Sequence, residues 1–463
     1  MKNSFEYDAR VTKEAKALLA AGHEVTVVAL RVPKVTPQEE VTPDGIHVLR
    51  IPRSSLGVPA LNRVAARYAG TIEARHARLT GEPYDAAKAR ELGRFSSPST
   101  ATPGDDATPS RPDSAPDARP TRWSRGWASV TTPLLRAVAR LARFTFRSAK
   151  SVLGRQGSRL TQWAIDKRMT KVGVSLAADV YHSHDLNTLG VGVACKKRLG
   201  AKLVYDSHEL QTERSRMTSR QRSRALREER KWMTDADALI VASPSWIDWN
   251  RRLYGSLPEP SVAVLNVPEP TEVVPLDLRA AVGLHPDTAL LVYQGSIQEN
   301  RGIEPAIDAV RMLEGVALVV IGYGYHRPAL EELVEREGLG DRVRFFGPVP
   351  NDELLAYTAT ADAGLCNIVN SSVSYHTSLP NKLFEYITAG VPVIGSDSPE
   401  IGRVVTETGV GEVCDPEDPA ALAAAATKIL AQPGRYRDAL AAAATRYHWG
   451  VEHKKLLEVY EEL

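Results

Sequence analysis

Reactive side chains in this sequence gather where apolar runs end. His182, His184 and Asp185 close the run from Ala178, and Asp206, His208 and Glu209 close the run from Lys202. In the second half, Gly295-Ser296, Arg301-Gly302, Gly322-Tyr-Gly324 and Lys382 lie just past apolar runs or at helix starts. Glycines let a ligand approach the backbone, and an arginine makes charge-assisted bonds to a phosphate. The pair His182 and His184 suggests a metal, but no third ligand has a suitable spacing in sequence, so none is expected.

One segment, Ser378 to Asp397, carries the strongest local pattern. Pro380 suits a helix entry, where its missing N–H is not needed. Leu383, Phe384, Tyr386 and Ile387 then keep a helical apolar pattern that stops at Gly390, and Val391-Pro-Val-Ile394 reads as a buried strand opening into a crevice. Free N–H groups at the helix start suit a phosphate, with Lys382 adding charge and Glu385, one turn in, able to take hydroxyls. The same pattern also fits an ordinary packing unit of a doubly wound sheet.

The elements around these residues alternate between strand and helix. Val11–Ala21 is helical, Glu24–Leu30 and Ile46–Ile51 are strands, and the series resumes at Ala178. An alternating domain should open on a strand. Either that strand is missing from this sequence or its start is set too late. Residues Gln211–Met233 read as one long charged helix, Val262–Asn266 as a short strand and Pro268–Pro275 as a linker. A second alternating series runs through Ala289–Gly295, Ala317–Ile321, Val343–Phe346, Ala363–Cys366 and Val391–Ile394, followed by helices at Ala420–Leu430 and Trp449–Leu463. The expected fold class is α/β, with two Rossmann-like doubly wound parallel-sheet domains and a cleft at the carboxyl ends of both sets of strands. Expected limits are 1–267 for the first domain, 268–285 for the linker, 286–447 for the second domain, and 448–463 for the closing helix.

The first domain carries an insertion at about 83–170. Its part at 96–119 is Pro, Ser, Thr, Ala and Asp with little to bury, and reads as disordered. Between 118 and 165 ten basic residues occur with no acid, and Arg136, Arg140, Arg143 and Arg147 fall on one helical arc opposite Leu134, Val138 and Leu141. A basic amphipathic helix at about 132–153 suggests an anionic membrane surface as partner, with a packed helix bearing a solvated arginine face as the plain alternative and nucleic acid as a weaker one.

Composition sets outer bounds. A chain of 463 residues has room for two or three domains of about 100–200 residues each. At 43% hydrophobic and 25% charged it has the composition of a soluble globular protein, and a net charge of +2 does not single out nucleic acid. Cys195, Cys366 and Cys414 are widely spaced in apolar segments, which suits buried thiols in a reducing compartment. No apolar run is long enough to span a bilayer, and the first residues lack a signal core. A cytoplasmic enzyme-sized protein is expected.

Taken together, the order of these motifs resembles glycosyltransferase family 4, retaining enzymes of the two-Rossmann GT-B fold. The resemblance covers Asn3–Arg53 and about Leu176 to the C-terminus. It rests on Asn3–Arg10 with Gly22-His-Glu-Val25, His182–Asp185, Tyr205–Glu209, Gly295 with Arg301-Gly302, Ile321–Gly324, Phe346-Gly347 and Leu379–Gly390. It implies a nucleoside-diphosphate sugar as donor, no cofactor or metal, and a glycan or lipid-linked acceptor of the cell envelope. By resemblance, His208 faces the donor sugar, with His184 and Asp185 bordering the acceptor side as the other catalytic candidates. Gly295, Arg301, Gly322, Gly324, Phe346, Asn381, Lys382 and Glu385 would bind the donor, Glu385 at the ribose and Arg301 at the diphosphate. Thr377 stands where the family carries a second glutamate against the donor sugar, and Ser296 where it carries a basic residue. The expected activity is retaining glycosyl transfer at the inner face of the plasma membrane. A nucleotide-sugar epimerase of the same architecture and a non-catalytic membrane scaffold are the alternatives.

Overall fold

The computed structural model describes residues 2–52 and 160–463, save 6, 7, 34 and 216. The disordered stretch expected at 96–119 and the basic helix expected at 132–153 lie outside the described residues. Of the insertion expected at 83–170 only the end is described, within a helix through 160–176. Residues Met1–Pro52 and Asp166–Leu463 pack as one compact unit.

The carboxyl-terminal half is a six-stranded parallel sheet. Its strands are β8 (Ala289–Gln294), β9 (Val316–Ile321), β10 (Val343–Phe346), β11 (Ala363–Cys366), β12 (Val393–Ser396) and β13 (Gly411–Cys414), in the order β10-β9-β8-β11-β12-β13. Both faces are covered, which is why β9 reads Val-Ala-Leu-Val-Val-Ile without alternation and is buried throughout. Each such aliphatic side chain contributes about 1.5–3 kcal/mol on burial. The strand order reverses between β8 and β11, and a crevice opens outside the carboxyl ends of strands at such a point.

The amino-terminal half departs from the expected single sheet. Strands β4 (Val180–His184), β5 (Lys202–Ser207), β6 (Ala238–Val241) and β7 (Ser261–Ala263) form one parallel sheet. Strands β1 (Thr26–Arg31), β2 (Glu39–Val41) and β3 (His47–Pro52) form another, ordered β1-β3-β2 with β2 antiparallel. The long helix expected over Gln211–Met233 begins only at Ser219, because Thr218 and Gln221 form a capping box there. Gly411–Cys414 and a helix at Arg437–Arg446 were not anticipated.

Four helices position the site: α1 (Ala9–Ala20), α2 (Leu186–Leu199), α3 (Asn381–Thr388) and α4 (Trp449–Glu461). The α3 pattern behaves as its sequence predicts. Leu383, Phe384, Tyr386 and Ile387 are buried, Pro380 sits at the N-cap, and Gly390 takes a left-handed φ of 72° just past the end. Tyr386 lies so close to β11 that a Cβ on Gly364 would fall 2.5 Å from its ring. Its hydroxyl accepts from the Gln294 amide and donates to the Val292 carbonyl, each at 3.2 Å, fixing α3 against β8.

Candidate active site

Two clusters of polar side chains form at the carboxyl ends of the strands. The first centres on Asp206, at the end of β5 and fully buried. Arg10 of α1 grips both its oxygens, Nε to Oδ2 at 3.1 Å and Nη2 to Oδ1 at 2.8 Å. His208 Nε2 lies 2.8 Å and His184 Nδ1 3.2 Å from Oδ2, and the two rings approach to 3.2 Å. His182 stacks on His184 with centroids 4.5 Å apart, and its Nδ1 meets the Tyr460 hydroxyl of α4 at 2.9 Å. Burial alone would raise the Asp206 carboxyl, but the Arg10 charge and then His208 outweigh it and hold it well below its usual range. For His208, burial works against the cation, yet the Asp206 charge and hydrogen bond win and push it up to about 9. His184 goes the other way, held neutral by burial and by His182. The cluster therefore keeps one histidine charged and one neutral near pH 7.

Of the candidates named from sequence, His184, Asp185 and His208 do come together. Asp185 has a different task from its neighbours: it precedes α2 with a positive φ of 63°, and its Oδ1 accepts the His208 main-chain N–H at 3.1 Å instead of capping the helix. Arg10 and Glu14 were missed as site residues, and Asp206, noted among the reactive strand-end residues, was given no role. Glu14, one turn after Arg10 on α1, is fully buried, and burial followed by the Asp206 charge pushes its carboxyl up to about 7. Sequence spacing gave the His-x-His pair no third ligand; the fold supplies two. Ligand atoms of Glu14, His182, His184 and Asp206 lie within 4.8 Å of one another. Arg10 and His208 occupy the Asp206 oxygens there and already offset its charge.

The second cluster lies in the crevice between β8 and β11. Three glycines make it: Gly322 takes a φ of 139°, and a Cβ on it would stand 2.0 Å from the Gly295 carbonyl. A Cβ on Gly324 would stand 1.8 Å from the Ile297 carbonyl. Gly302, with φ 72°, accepts from Asn367 Nδ2 at 2.6 Å and opens the next helix. Beneath Gly295 lies Lys382, buried, with Nζ 3.4 Å from the Tyr293 ring centre and no hydrogen-bond partner. Burial, with the Arg301 charge adding to it, lowers Lys382 to about 7. Arg301 stacks on Tyr375 at 4.5 Å, and its Nε is buried with no hydrogen-bond partner. Glu385 is held by Gln294 Nε2, whose Oε1 accepts from Thr358 Oγ1 at 2.6 Å, and burial raises the Glu385 carboxyl. The Phe346 carbonyl accepts from the Gly322 amide at 3.2 Å, and its ring packs on the edge of Tyr357. Asn381 is exposed in the first turn of α3.

The clusters are linked through α1. Lys13 Nζ donates to Asn266 Oδ1 at 2.7 Å, lies over Trp449, and is near enough to Glu385 for each to shift the other. Burial and then the Arg10 charge lower Lys13 to about 8. The position Thr377 is absorbed by the seam between the halves: Trp246 Nε1 donates to its Oγ1 at 3.0 Å and Ser243 Oγ to its carbonyl at 2.8 Å. Nearby, the Ser245 amide donates to Glu400 at 3.0 Å.

Comparison with known proteins agrees with this geometry. Residues 277–447 match the family model described as Glycosyl transferases group 1. The chain is similar to a glycogen synthase of Mycobacterium tuberculosis, 26% identical over 305 residues, covering 63% of this chain and 71% of that protein. Among solved structures, a sucrose-phosphate synthase from Thermosynechococcus elongatus matches 98% of this chain and 92% of its own with a TM-score of 0.63 at 18% identity. HepE of Anabaena, in complex with UDP-glucose, matches 69% of this chain and 89% of its own, with a TM-score of 0.53 at 16% identity. Sheet order, strand-end glycines and these matches converge: the chain is a glycosyltransferase of GT-B architecture, with a glycosyl transferases group 1 region at 277–447.

Proposed function

We propose that the chain is a retaining transferase of glycosyltransferase family 4 that moves a hexosyl or related group from a nucleoside-diphosphate sugar to an envelope, polysaccharide or lipid-linked acceptor. The observation that carries this is the half-buried Arg301 and the buried Lys382, whose buried Nε and Nζ lack hydrogen-bond partners beside a glycine-lined crevice. Burying a charge without a partner is costly, and a diphosphate would relieve both at once. HepE, a neighbour of this fold, is described in complex with UDP-glucose, which supports a nucleotide-sugar donor here.

In this reading Gly295, Gly322 and Gly324 let the diphosphate approach the backbone, and Arg301 and Lys382 stabilise its departure without a metal or cofactor. Glu385 takes the ribose hydroxyls, Phe346 borders the base, and the start of α3 at Asn381 adds its free N–H groups. His208, held cationic by Asp206, donates to the donor sugar and does not serve as a base near neutrality. His184, neutral, and Asp185 border the acceptor, whose hydroxyl attacks on the face the diphosphate leaves. We assign the acceptor side to 1–267, the donor side to 286–447 and the return helix to 448–463. The basic insertion would hold the enzyme at the anionic inner face of the plasma membrane. Among the described residues no helix is long and apolar enough to cross one. Nucleic acid is not a proposed partner.

The test measures nucleoside-diphosphate release from a panel of sugar nucleotides with membrane extract as acceptor. Glu385→Ala and Arg301→Ala should each lower kcat/KM by about 10²-fold or more, the scale of losing one charge-stabilising group. Unchanged turnover in both would sink the assignment. Donor conversion without any acceptor would favour the epimerase.

A further inference from the structure

Two cations line the crevice, and each is held by an aromatic face. Lys382 Nζ stands 3.4 Å from the Tyr293 ring centre, and Arg301 Cζ stands 4.5 Å from that of Tyr375. A ring face attracts a cation and takes none of its hydrogen-bond donors, whereas a carboxylate would take them. Arg301 Nε and Lys382 Nζ accordingly have no hydrogen-bond partner. Tyr293 is fixed within β8, its hydroxyl donating to the Ser296 carbonyl at 2.9 Å. Tyr375 is held by a different device.

It stands on a single helical turn, Val373–His376, opened by Ser372, whose Oγ accepts from the Tyr375 amide at 3.2 Å. The turn straddles the two halves. Val373 packs on the apolar cluster of Leu186, Tyr205 and Trp246, while Tyr375 packs on the cluster that contains Tyr293 and Leu365. The Ser374 amide donates to the Glu213 carbonyl at 3.4 Å, and Thr377, just past the turn, accepts from Trp246 and Ser243. The other end of the same segment reaches the main chain around the arginine. Asn367, 1% exposed, donates Nδ2 to the Gly302 carbonyl at 2.6 Å, and the Val369 amide donates to the Asn300 carbonyl at 3.3 Å. Asn300 and Gly302 flank Arg301, both at positive φ, 62° and 72°. Segment 367–377 therefore holds Arg301 twice, by the main chain on either side of it and by the face of Tyr375.

We propose that Tyr375 is the positioning residue of Arg301, and that through Thr377 the amino-terminal half sets how tightly the crevice holds a diphosphate. The inference rests on the assignment of Arg301 to the diphosphate. Trp246 and Ser243 hold Thr377, the turn carries Tyr375, and Tyr375 presents the guanidinium with its donors left for the ligand. Affinity for the nucleotide then depends on a tryptophan buried in the other half of the molecule.

Calorimetry on the full chain with UDP, GDP and ADP selects the diphosphate that the parent binds best, and each variant is measured with it. Tyr375→Leu should weaken binding by about 3- to 30-fold, the range of a partly to fully desolvated contact between a cation and a ring. Tyr375→Phe, which keeps the face, should recover most of that loss. In an Arg301→Ala background Tyr375→Leu should cost nothing further, since no guanidinium is left to position. Trp246→Phe, which removes the indole N–H, should weaken binding in the parent and have no effect once Tyr375 is replaced by leucine. Should Tyr375→Leu fail to fold, Tyr375→Met also removes the face and reads the same difference. Parent affinity in Tyr375→Leu, beside a loss in Arg301→Ala, overturns this inference alone. Parent affinity in Arg301→Ala overturns the diphosphate assignment and this inference with it. An equal loss from Tyr375→Leu with and without Arg301 makes the tyrosine a packing residue and overturns its positioning role, and parent affinity in Trp246→Phe removes the link to the amino-terminal half.

Discussion

The indole N–H of Trp246 donates to Thr377 Oγ1 at 3.0 Å, from the amino-terminal half to the loop that leads into α3. Trp246 is 2% exposed, so this bond is made out of reach of water. The same hydroxyl donates to the Val373 carbonyl at 2.8 Å, which fixes its orientation. Thr377 is therefore a seam residue, and its contacts set where Lys382 and Glu385 stand relative to Asp206.

Thr377→Val should strand the buried indole N–H and lower stability by about 1–3 kcal/mol in urea unfolding. Thr377→Ser, which keeps the hydroxyl, should stay near the parent. If valine and serine behave alike, the bond contributes nothing to the seam.

His208 should make stability depend on pH. Its folded-state pKa, about 9, lies above its ordinary 6.5, so its contribution is fully present below about 6.5 and is lost as pH rises through 9. The stability gap between the parent and His208→Gln should be flat in acid and narrow between those values. Histidine NMR titration of Asp206→Asn should show the His208 midpoint falling, and that variant should lose about 3 kcal/mol, because it breaks the buried pair and leaves Arg10 only the Glu14 carboxylate at 2.9 Å.

Lys382 carries the opposite sign. Its pKa is lowered to about 7 by burial, so the empty site is short of a proton at pH 8, and a bound diphosphate should restore it. Calorimetry of UDP binding at pH 8 in buffers of different ionisation heat should show net proton uptake. Lys382→Met should abolish the uptake and weaken binding. Uptake that survives in Lys382→Met would place the titrating group elsewhere.

Gly322→Ala should collapse the crevice rather than tune it. The new Cβ would meet the Gly295 carbonyl at 2.0 Å on a backbone with φ 139°. Strain of about 1–3 kcal/mol or more is expected, with loss of diphosphate binding in the folded fraction.

On the proposed membrane reading, deleting residues 126–160 should reduce co-sedimentation with anionic vesicles while sparing nucleotide binding, since this stretch carries basic residues and no acidic one. Vesicle binding that survives the deletion removes the membrane assignment.

Much of the carboxyl-terminal half was legible because its signals are local. Fully buried parallel strands must read as unbroken apolar runs, and strand-end turns that take a positive φ, as at Gly295, or press on a carbonyl, as at Gly322 and Gly324, favour glycine. The α3 helix likewise declared its start at Pro380, its buried face and its end at Gly390.

What the sequence determined by itself, then, was the α/β class, the second doubly wound sheet and the residues at its strand ends, because dihedral limits and burial act over a few neighbours. Only the tertiary structure decided that Arg10 meets Asp206, 196 positions away, that burial beside His182 leaves His184 neutral, and that Asp206 charges His208. It also decided that Thr377 belongs to the seam. Buried charge pairing and seam contacts depend on which segments meet in space, and no periodicity along the chain encodes that.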